Sequence, residues 1–404
     1  MHRRDLLALV GMAGTSGCLR LQESGPAAAD TTTPATGGPD GDDADTEPST
    51  GEEDTGDTVG IGEVTLTERW TDGWHVNDGW VSNQTFYLSG TDGVGTAHQS
   101  EMGWTAELAD DDVLGTEAFG ISGGRAVFGL SPDPDGEGYS PEVGAQFYAY
   151  DHPAGEKAWR FDAPPDARHN YARGVAVVDG VAAVGSHTYG MDIDYDPLVT
   201  GVDMQTGEQV WDTHLAEVGG RYLVDIATYD GAICVGSTGT SDAGITLLDP
   251  ATGEIVKHYD RIRMSTDGAA VSGSSYYPCA FDQMAAYSLD DGSTRWSTDV
   301  DDRIVAQPVV DNTLVVCGTV AGTVYAIERD TGTVRWQASV DETVESVALS
   351  VSHVWAANQA NGLTGFARDG GSVVHRSTQD VSDLAVYDDT LLVGGDDTTA
   401  YTIE

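Results

Sequence analysis

Arginine side chains concentrate in four short segments that follow one another along the chain: "DARHNYARG", "EVGGRYLV", "DRIRMSTDG" and "DDRIVAQ". They supply six of the fourteen arginines after residue 60, namely Arg168, Arg173, Arg221, Arg261, Arg263 and Arg303. A guanidinium group holds a carboxylate or phosphate with two parallel hydrogen bonds, so the set predicts a site for a small anionic ligand or an acidic peptide. The alternative is that each arginine pairs at the surface with an acid of the same segments, such as Asp166, Asp225, Asp260 or Asp302.

Two acidic clusters could bind Ca²⁺, because hard cations favour several carboxylate oxygens. Their members are Asp133, Asp135 and Glu137 in the first cluster, and Asp192, Asp194 and Asp196 in the second. Neither cluster has the full spacing of a calcium loop, so solvated acidic loops are the alternative. The ten histidines show no metal-ligand spacing, and no CxxC pair is present.

Nucleophilic chemistry has weaker support. The segment "GISGG" places Ser122 between Gly120 and Gly124, as a hydrolase nucleophile elbow would, but that motif needs a strand followed by a helix. Here the segment reads as a β-hairpin turn. Three cysteines, Cys234, Cys279 and Cys317, stand alone in apolar β-runs, which predicts buried free thiols.

The chain has 404 residues and a formal net charge of −47, and its only lysines are Lys157 and Lys257. This composition indicates a surface adapted to high salt, on which carboxylates keep the protein hydrated. Nucleic acid is excluded as a partner, because binding a polyanion requires a basic face.

The first 18 residues read as a twin-arginine export signal, with Arg3 and Arg4 ahead of a short apolar run. Cys18 follows small residues in a sequence that resembles a lipobox, although Thr15 stands where Leu is usual. We therefore expect lipidation of Cys18 and anchoring to the outer face of the cell membrane; the alternative is cleavage without a lipid. Residues 19–60 have the composition of a disordered acidic tether, and residues 61–404 form the folded domain.

A repeated spacing organises that domain. The segment "VYAIERDTGTVRWQASV" holds a β-run, a Thr331-Gly332 turn and a second β-run with Trp336, and five further copies occur with substitutions. Eight predicted hairpins precede the Trp positions, which are residues 70, 104, 159, 211, 257, 296, 336 and 375. Four strands repeated eight times predict an all-β, eight-bladed β-propeller of antiparallel blades. The N-terminal strand, "EVTLTERW", should complete the last blade and close the ring.

In such a ring the loop between strands two and three of a blade lies on the same face as the link to the next blade. The two longest insertions, "SPDPDGEGYSPEVGA" and "SHTYGMDIDYDPLVTG", are loops of this kind in adjacent blades. The arginine-rich segments are links on that face. Any ligand site is therefore expected there. The sequon "NQT" makes Asn83 a possible glycosylation site at a hairpin turn.

The Ala-x-Asp-x-x-Thr-Gly-x-x-x-Trp pattern resembles the PQQ-like propeller repeat, which occurs in quinoprotein dehydrogenases and in a non-catalytic lipoprotein of outer-membrane assembly. The resemblance implies that the repeat tryptophans dock neighbouring blades together; these are Trp70, Trp104, Trp159, Trp211, Trp296 and Trp336. It also implies that the catalytic branch needs an adjacent Cys pair, Ca²⁺ ligands and an Asp base. No Cys-Cys sequence occurs here. The acidic composition and export signal resemble those of salt-loving archaea, where no outer membrane is expected.

We therefore expect a non-catalytic, surface-anchored monomer that binds a protein or a small anionic ligand and needs no cofactor. The alternative is a quinoprotein oxidoreductase in which the arginines hold the carboxylates of pyrroloquinoline quinone (PQQ) beside Ca²⁺.

Overall fold

The computed structural model describes residues 64–90, 93–108, 113–132, 143–165, 168–188, 195–340, 342–358, 360, 362–379 and 381–404. The export signal, Cys18, the tether, and the residues Asp133, Asp135, Glu137, Asp166, Asp192 and Asp194 lie outside these ranges. Thirty-two strands form eight separate four-stranded antiparallel sheets, which confirms the predicted eight blades.

Blades 1 to 4 follow one another along the chain. Their strands are β2 (Asp78–Ser82), β3 (Thr85–Gly90), β4 (Gly93–Ala97) and β5 (Met102–Glu107); β6 (Val113–Ser122), β7 (Arg125–Pro132), β8 (Gln146–Asp151) and β9 (Glu156–Asp162); β10 (Tyr171–Val178), β11 (Val181–His187), β12 (Leu198–Asp203) and β13 (Gln209–His214); and β14 (Gly220–Tyr229), β15 (Ala232–Gly239), β16 (Gly244–Leu248) and β17 (Ile255–Asp260).

Blades 5 to 8 complete the set. Their strands are β18 (Ala269–Ser272), β19 (Ser275–Pro278), β20 (Gln283–Ser288) and β21 (Thr294–Asp299); β22 (Ile304–Val310), β23 (Leu314–Thr319), β24 (Thr323–Glu328) and β25 (Val334–Ser339); β26 (Val344–Leu349), β27 (His353–Asn358), β28 (Gly362–Ala367) and β29 (Val373–Thr378); and β30 (Asp383–Tyr387), β31 (Thr390–Gly394), β32 (Thr398–Ile403) and β1 (Leu66–Asp72). A short 3-10 turn, Leu215–Val218, precedes β14.

The ring closes as the sequence predicts. Strand β1 pairs antiparallel with β32, from Leu66 opposite Ile403 to Asp72 opposite Thr398. The first strand of each blade is innermost, and β2 contacts the inner strands of both neighbours, β6 and β30. No helix within the described ranges has the length and apolar character needed to cross a membrane.

Apolar side chains fill the spaces between neighbouring sheets. One such cluster joins Val127 and Phe147 of blade 2 to Val175 and Val184 of blade 3. Inner strands such as β2 are buried along their whole length, whereas outer strands such as β5 alternate between partly buried and exposed residues. Each blade therefore depends on its neighbours for its core.

The repeat tryptophans lie at these joints. The indole of Trp296 packs on Gly332 in the outer turn of blade 6, and its Nε1 donates a hydrogen bond of 2.7 Å to the carbonyl oxygen of Arg329. A Cβ atom on Gly332 would lie 2.7 Å from that ring, and its φ of +73° also requires glycine. The same contact recurs for Trp159 on Gly207, Trp211 on Gly253 and Trp336 on Gly371.

Four joints depart from the pattern. Between blades 7 and 8 the Trp position holds His375, whose Nδ1 lies 3.3 Å from the Val64 carbonyl oxygen. In blade 4 the Trp position holds Lys257, and Tyr259, two residues further along the strand, packs on Gly292 and donates its hydroxyl to the Leu289 carbonyl at 2.8 Å. Trp104 packs on Gly155, but its buried Nε1 has no acceptor among the described residues. At the closing joint, Trp70 of blade 8 donates to the His98 carbonyl of blade 1 at 3.2 Å.

We expect Trp296→Ala to lower the free energy of unfolding by about 3–5 kcal/mol, because it empties a buried joint between two blades. The matched variant Tyr259→Phe removes only the hydroxyl hydrogen bond of the equivalent joint and is expected to lower it by about 1 kcal/mol. Denaturant titration measures both values, and equal losses would contradict the docking role of the ring.

Candidate functional site

The face that carries the blade-to-blade links is the candidate binding face, and we call it the link face; the opposite face, with the turn between the first two strands of each blade, is the hairpin face. Because each inner strand begins at the link face, the residues at its start line the mouth of the central channel. Asn83 lies in an exposed hairpin turn, with a φ of 47°, and so lies on the hairpin face. Ser122 is the last residue of β6 and is paired with Arg125 across such a hairpin turn, so a strand and not a helix follows it.

Four of the predicted arginines are engaged by carboxylates. The shortest distances are 3.1 Å for Arg263–Asp282, 3.3 Å for Arg261–Asp260, 3.4 Å for Arg168–Asp196 and 3.9 Å for Arg303–Asp267. This is the surface pairing that the acid-rich segments allow. The arginines therefore do not form a ring of unpaired cations, although exposed pairs of this kind are weak and can exchange partners.

Asp196 is the one described member of the predicted calcium clusters. Its two carboxylate oxygens contact Arg168 and, at 2.9 Å, Nδ1 of His214. Within the described ranges, no group of three or more His, Cys, Asp or Glu side chains is placed to hold a metal ion.

Arg221 differs from the other five arginines. Its guanidinium lies over the ring of Tyr195, 5.2 Å from the centroid, and Tyr195 in turn packs edge-on against Tyr222 at 5.0 Å. The side chain is exposed, and it forms no ion pair with a carboxylate of the described residues. A stacked guanidinium keeps its hydrogen-bond donors available and loses little side-chain entropy when it binds.

Arg173 is buried, with 5% of its surface exposed, in a bulge of the inner strand β10. Its Nε donates to the carbonyl oxygen of Val224 in blade 4 at 3.1 Å, and its Nη2 donates to that of Thr266 in the link that enters blade 5. The side chain therefore spans three blades at the channel mouth. It acts as an internal bracket, which is a different role from the exposed anion ligand that the sequence predicted.

A layer of polar residues surrounds Arg173. Asp78, Asp225 and Asp383 lie on three inner strands, and each stands five residues before a turn residue with positive φ, Asn83, Asp230 and Asp388 respectively. Gln307 and Ser346 occupy the equivalent positions in blades 6 and 7. All five are buried. The sequence alternative placed Asp225 in a surface ion pair, which is wrong because Asp225 is only 1% exposed, and sequence reasoning missed Asp78 and Asp383. An Asp at a fixed distance from the turn, in an otherwise apolar strand, was a visible signal.

Burial dominates the electrostatics of this layer. It raises the pKa of Asp78 to about 7, against the opposing charge of Arg173. Burial and the charge of Asp78 also raise the pKa of Asp383 well above its usual value. The pKa of His187 falls to about 3 because of burial, with Arg173 and His169 adding to the fall.

The described residues do not fit a quinone with its calcium ion. Arg173, which was expected to hold a quinone carboxylate, already donates to protein carbonyls at the channel mouth. The cysteines Cys234, Cys279 and Cys317 are buried and free, on separate strands or loops, and burial raises the pKa of Cys317 to about 12. Burial also raises the pKa of Cys234. These thiols therefore have a packing role, because the reactive form of a cysteine is the thiolate.

The eight-bladed ring, with an aromatic ring packed on a turn glycine at six of its eight joints, defines a PQQ-like β-propeller. Residues 67–228 and 241–385 match the family described as "Outer membrane protein assembly factor BamB", and the chain belongs to that family. No curated protein matches the sequence.

Solved structures share the fold at low sequence identity. BamB from Moraxella catarrhalis has a TM-score of 0.60 at 15% identity, covering 84% of this chain and 100% of its own. A quinohemoprotein alcohol dehydrogenase from Comamonas testosteroni has a TM-score of 0.63 at 11% identity, and the match covers 84% of this chain and 76% of the dehydrogenase. The computationally designed protein Ika8 has a TM-score of 0.59 at 13% identity, covering 85% and 100%. Identities this low show the fold alone.

We expect Arg173→Met to lower the free energy of unfolding by about 3–5 kcal/mol, because it leaves carbonyls and carboxylates buried without their cation. Arg263→Met, the same change at an exposed ion pair, should cost less than about 1 kcal/mol. Chemical denaturation of both variants checks the difference. Similar small losses would show that the bracket contributes little.

Proposed function

We propose that this protein is a non-catalytic propeller, held outside the cell membrane by a lipid on Cys18, that binds an acidic segment of a protein partner on its link face. The observation that carries the proposal is the exposed Arg221, which is stacked on Tyr195. On a chain with a net charge of −47, an arginine that no described carboxylate engages is a specific contact point for an incoming carboxylate.

Apolar contacts on the same face support a protein partner over a small anion. Phe281 and Val320 are exposed, at 56% and 36%, in the loops between strands two and three of blades 5 and 6. The two loops are held close to the links, since Val320 N–H donates to the Arg303 carbonyl and Ile304 N–H donates to that of Ala280. Aromatic and arginine side chains are the residues that most often dominate binding at protein interfaces.

The position of the first described residues supports the orientation. Strand β1 begins beside the end of β32, where Ile403 N–H donates to the carbonyl of Asp389 in a hairpin turn. The tether of residues 19–60 therefore joins the domain from the hairpin face. A lipid on Cys18 would place that face toward the membrane and leave the link face open to partners.

Family membership supports a binding role. The family description names an assembly factor, BamB, and the neighbour from Moraxella catarrhalis is a BamB structure. Assembly of outer-membrane proteins is not part of the proposal, because the acidic composition and export signal suggest an organism without an outer membrane.

The test compares capture of envelope proteins by three full-length forms in the native host: the unchanged chain, Arg221→Glu and Arg295→Glu. We expect Arg221→Glu to reduce capture of a specific partner at least tenfold, because a carboxylate then repels the partner's carboxylates. Arg295 lies on the outer strand β21, so the matched charge reversal there should leave capture unchanged. Equal capture by all three forms would reject the link face as the docking surface.

A quinoprotein oxidoreductase is the second candidate, favoured by the fold shared with quinohemoprotein dehydrogenases. Pyrroloquinoline quinone and Ca²⁺ are added together, binding is followed by calorimetry, and turnover is followed by dye reduction with alcohols or sugars. We expect neither binding nor turnover, because Arg173 is already engaged by protein carbonyls. Dye reduction that depends on both additions would replace the proposed function with the enzymatic one.

A further inference from the structure

Two buried carboxylates lie at the joint where the ring closes. Asp78 begins β2 of blade 1, and Asp383 begins β30 of blade 8, the blade that β1 completes. The two residues occupy equivalent positions on adjacent inner strands, and only 5% and 0% of their surfaces are exposed. Most acids of this chain are at the surface, so this pair needs a separate explanation.

Asp383 connects three inner strands. Its Oδ2 accepts a hydrogen bond of 3.1 Å from the backbone N–H of Gly79 in β2, and its Oδ1 accepts one of 2.7 Å from the hydroxyl of Ser346 in β26. Gly79 directly follows Asp78, so the same hydrogen bond brings the two carboxylates to one joint. Ser89 lies opposite Asp78 in the β2–β3 ladder.

The charged groups facing the pair are few. From β10, Arg173 acts on Asp78, and His187 and His169 lie beside Arg173. Asp225 occupies the equivalent position in blade 4, while Ser89 and Ser346 contribute only hydroxyls. On the link that precedes β2, His75 contacts Asp396 at 3.7 Å near the surface. Among the described residues, a single arginine therefore acts on this buried pair, through Asp78, and it is also hydrogen-bonded to backbone carbonyls.

We propose that Asp78 and Asp383 share a proton that latches blade 8 to blade 1, so that loss of this proton loosens the joint at which the ring closes. Two buried carboxylates that act on each other across one joint between strands cannot both ionise without a large electrostatic cost. When one is protonated, the pair has a hydrogen-bond donor and a single charge, which Arg173 faces. When both are ionised, repulsion acts directly on the contact between β2 and β30.

The sign of the pH effect follows from the raised pKa values. Burial raises the pKa of Asp78 from 3.8 to about 7, so the folded state holds a proton that the unfolded state releases. This contribution is complete below about pH 4 and is lost as pH rises toward 7. Acids held in ion pairs contribute stability that is lost as pH falls, which is the opposite dependence on pH. The pH profile therefore distinguishes the Asp78–Asp383 latch from ordinary ion pairs. His187, with a pKa of about 3, stays neutral across this window.

The experiment measures melting temperatures of the folded protein between pH 4.5 and 8 for the unchanged chain, Asp78→Asn and Asp383→Asn. An amide keeps the shape of a protonated carboxyl but cannot ionise. As pH rises from 4.5 to 8, we expect the melting temperature of Asp78→Asn minus that of the unchanged chain to increase by on the order of 5 °C. Asp383→Asn should show the same trend, so the test remains available if one variant folds poorly.

Asp230→Asn is the control, because Asp230 is an exposed turn residue at the other end of an inner strand. Its melting temperature should follow that of the unchanged chain at every pH. At pH 8, amide hydrogen exchange in β2 and β30 should be faster in the unchanged chain than in Asp78→Asn. The exchange rates in blades 3 to 6 should be the same in both proteins. Parallel pH profiles for the Asp78 variant and the control would overturn the latch.

A metal ion is the competing explanation for two buried acids. Melting at pH 8 is therefore repeated with EDTA and with added Ca²⁺. We expect no difference between the two conditions. Stabilisation of the unchanged chain by Ca²⁺, absent in Asp78→Asn, would show that a cation and not a proton holds the joint.

Discussion

The packing of one aromatic ring on one glycine in the neighbouring blade is the contact on which the rest of the molecule depends. No blade has a core of its own, because the apolar side chains of each sheet are buried only against the next sheet. The ring and glycine set how closely two outer strands approach, and the indole hydrogen bond fixes the turn that carries the glycine. The inner strands then meet around the central channel, where a few polar residues are buried among apolar ones.

The channel mouth illustrates what this constraint allows. Arg173 extends across blade 4 to the link of blade 5, and three aspartates occupy equivalent positions around it. Such buried charges are poor contributors to net stability, because removing them from water costs about as much as their attraction returns. They do fix the relative positions of several blades. The exposed side chains of the link face, such as Arg221 and Phe281, are not members of this buried network.

The repeat spacing was sufficient to predict the number of blades, the strand count and the strand that closes the ring, because each Trp, turn and hairpin recurs at a fixed interval. It failed at blade 4, where Tyr259 docks from two residues beyond the expected position; residues two apart on a strand share a face, so a shifted ring reaches the same glycine. The arginine-rich links were correctly located, but spacing alone could not separate Arg221 from arginines that pair with nearby acids. The burial of Asp78, Asp225 and Asp383 was not predicted, because an acidic residue in a strongly acidic chain gives no compositional contrast, and only their common distance from the hairpin turns distinguishes them.

The pairing of β1 with β32 also sets when this protein can reach its final form. Arg69 bonds to Thr402, 333 residues away, so blade 8 stays incomplete until almost the whole domain has left the ribosome. Contacts between such distant residues form slowly, since a long loop must close before they contribute. Until then β1 has no partner strand, and its unpaired edge can recruit strands from other chains. Translation that stops before β32 therefore yields an open ring that is prone to aggregation, because β1 and β31 then both keep an unpaired edge.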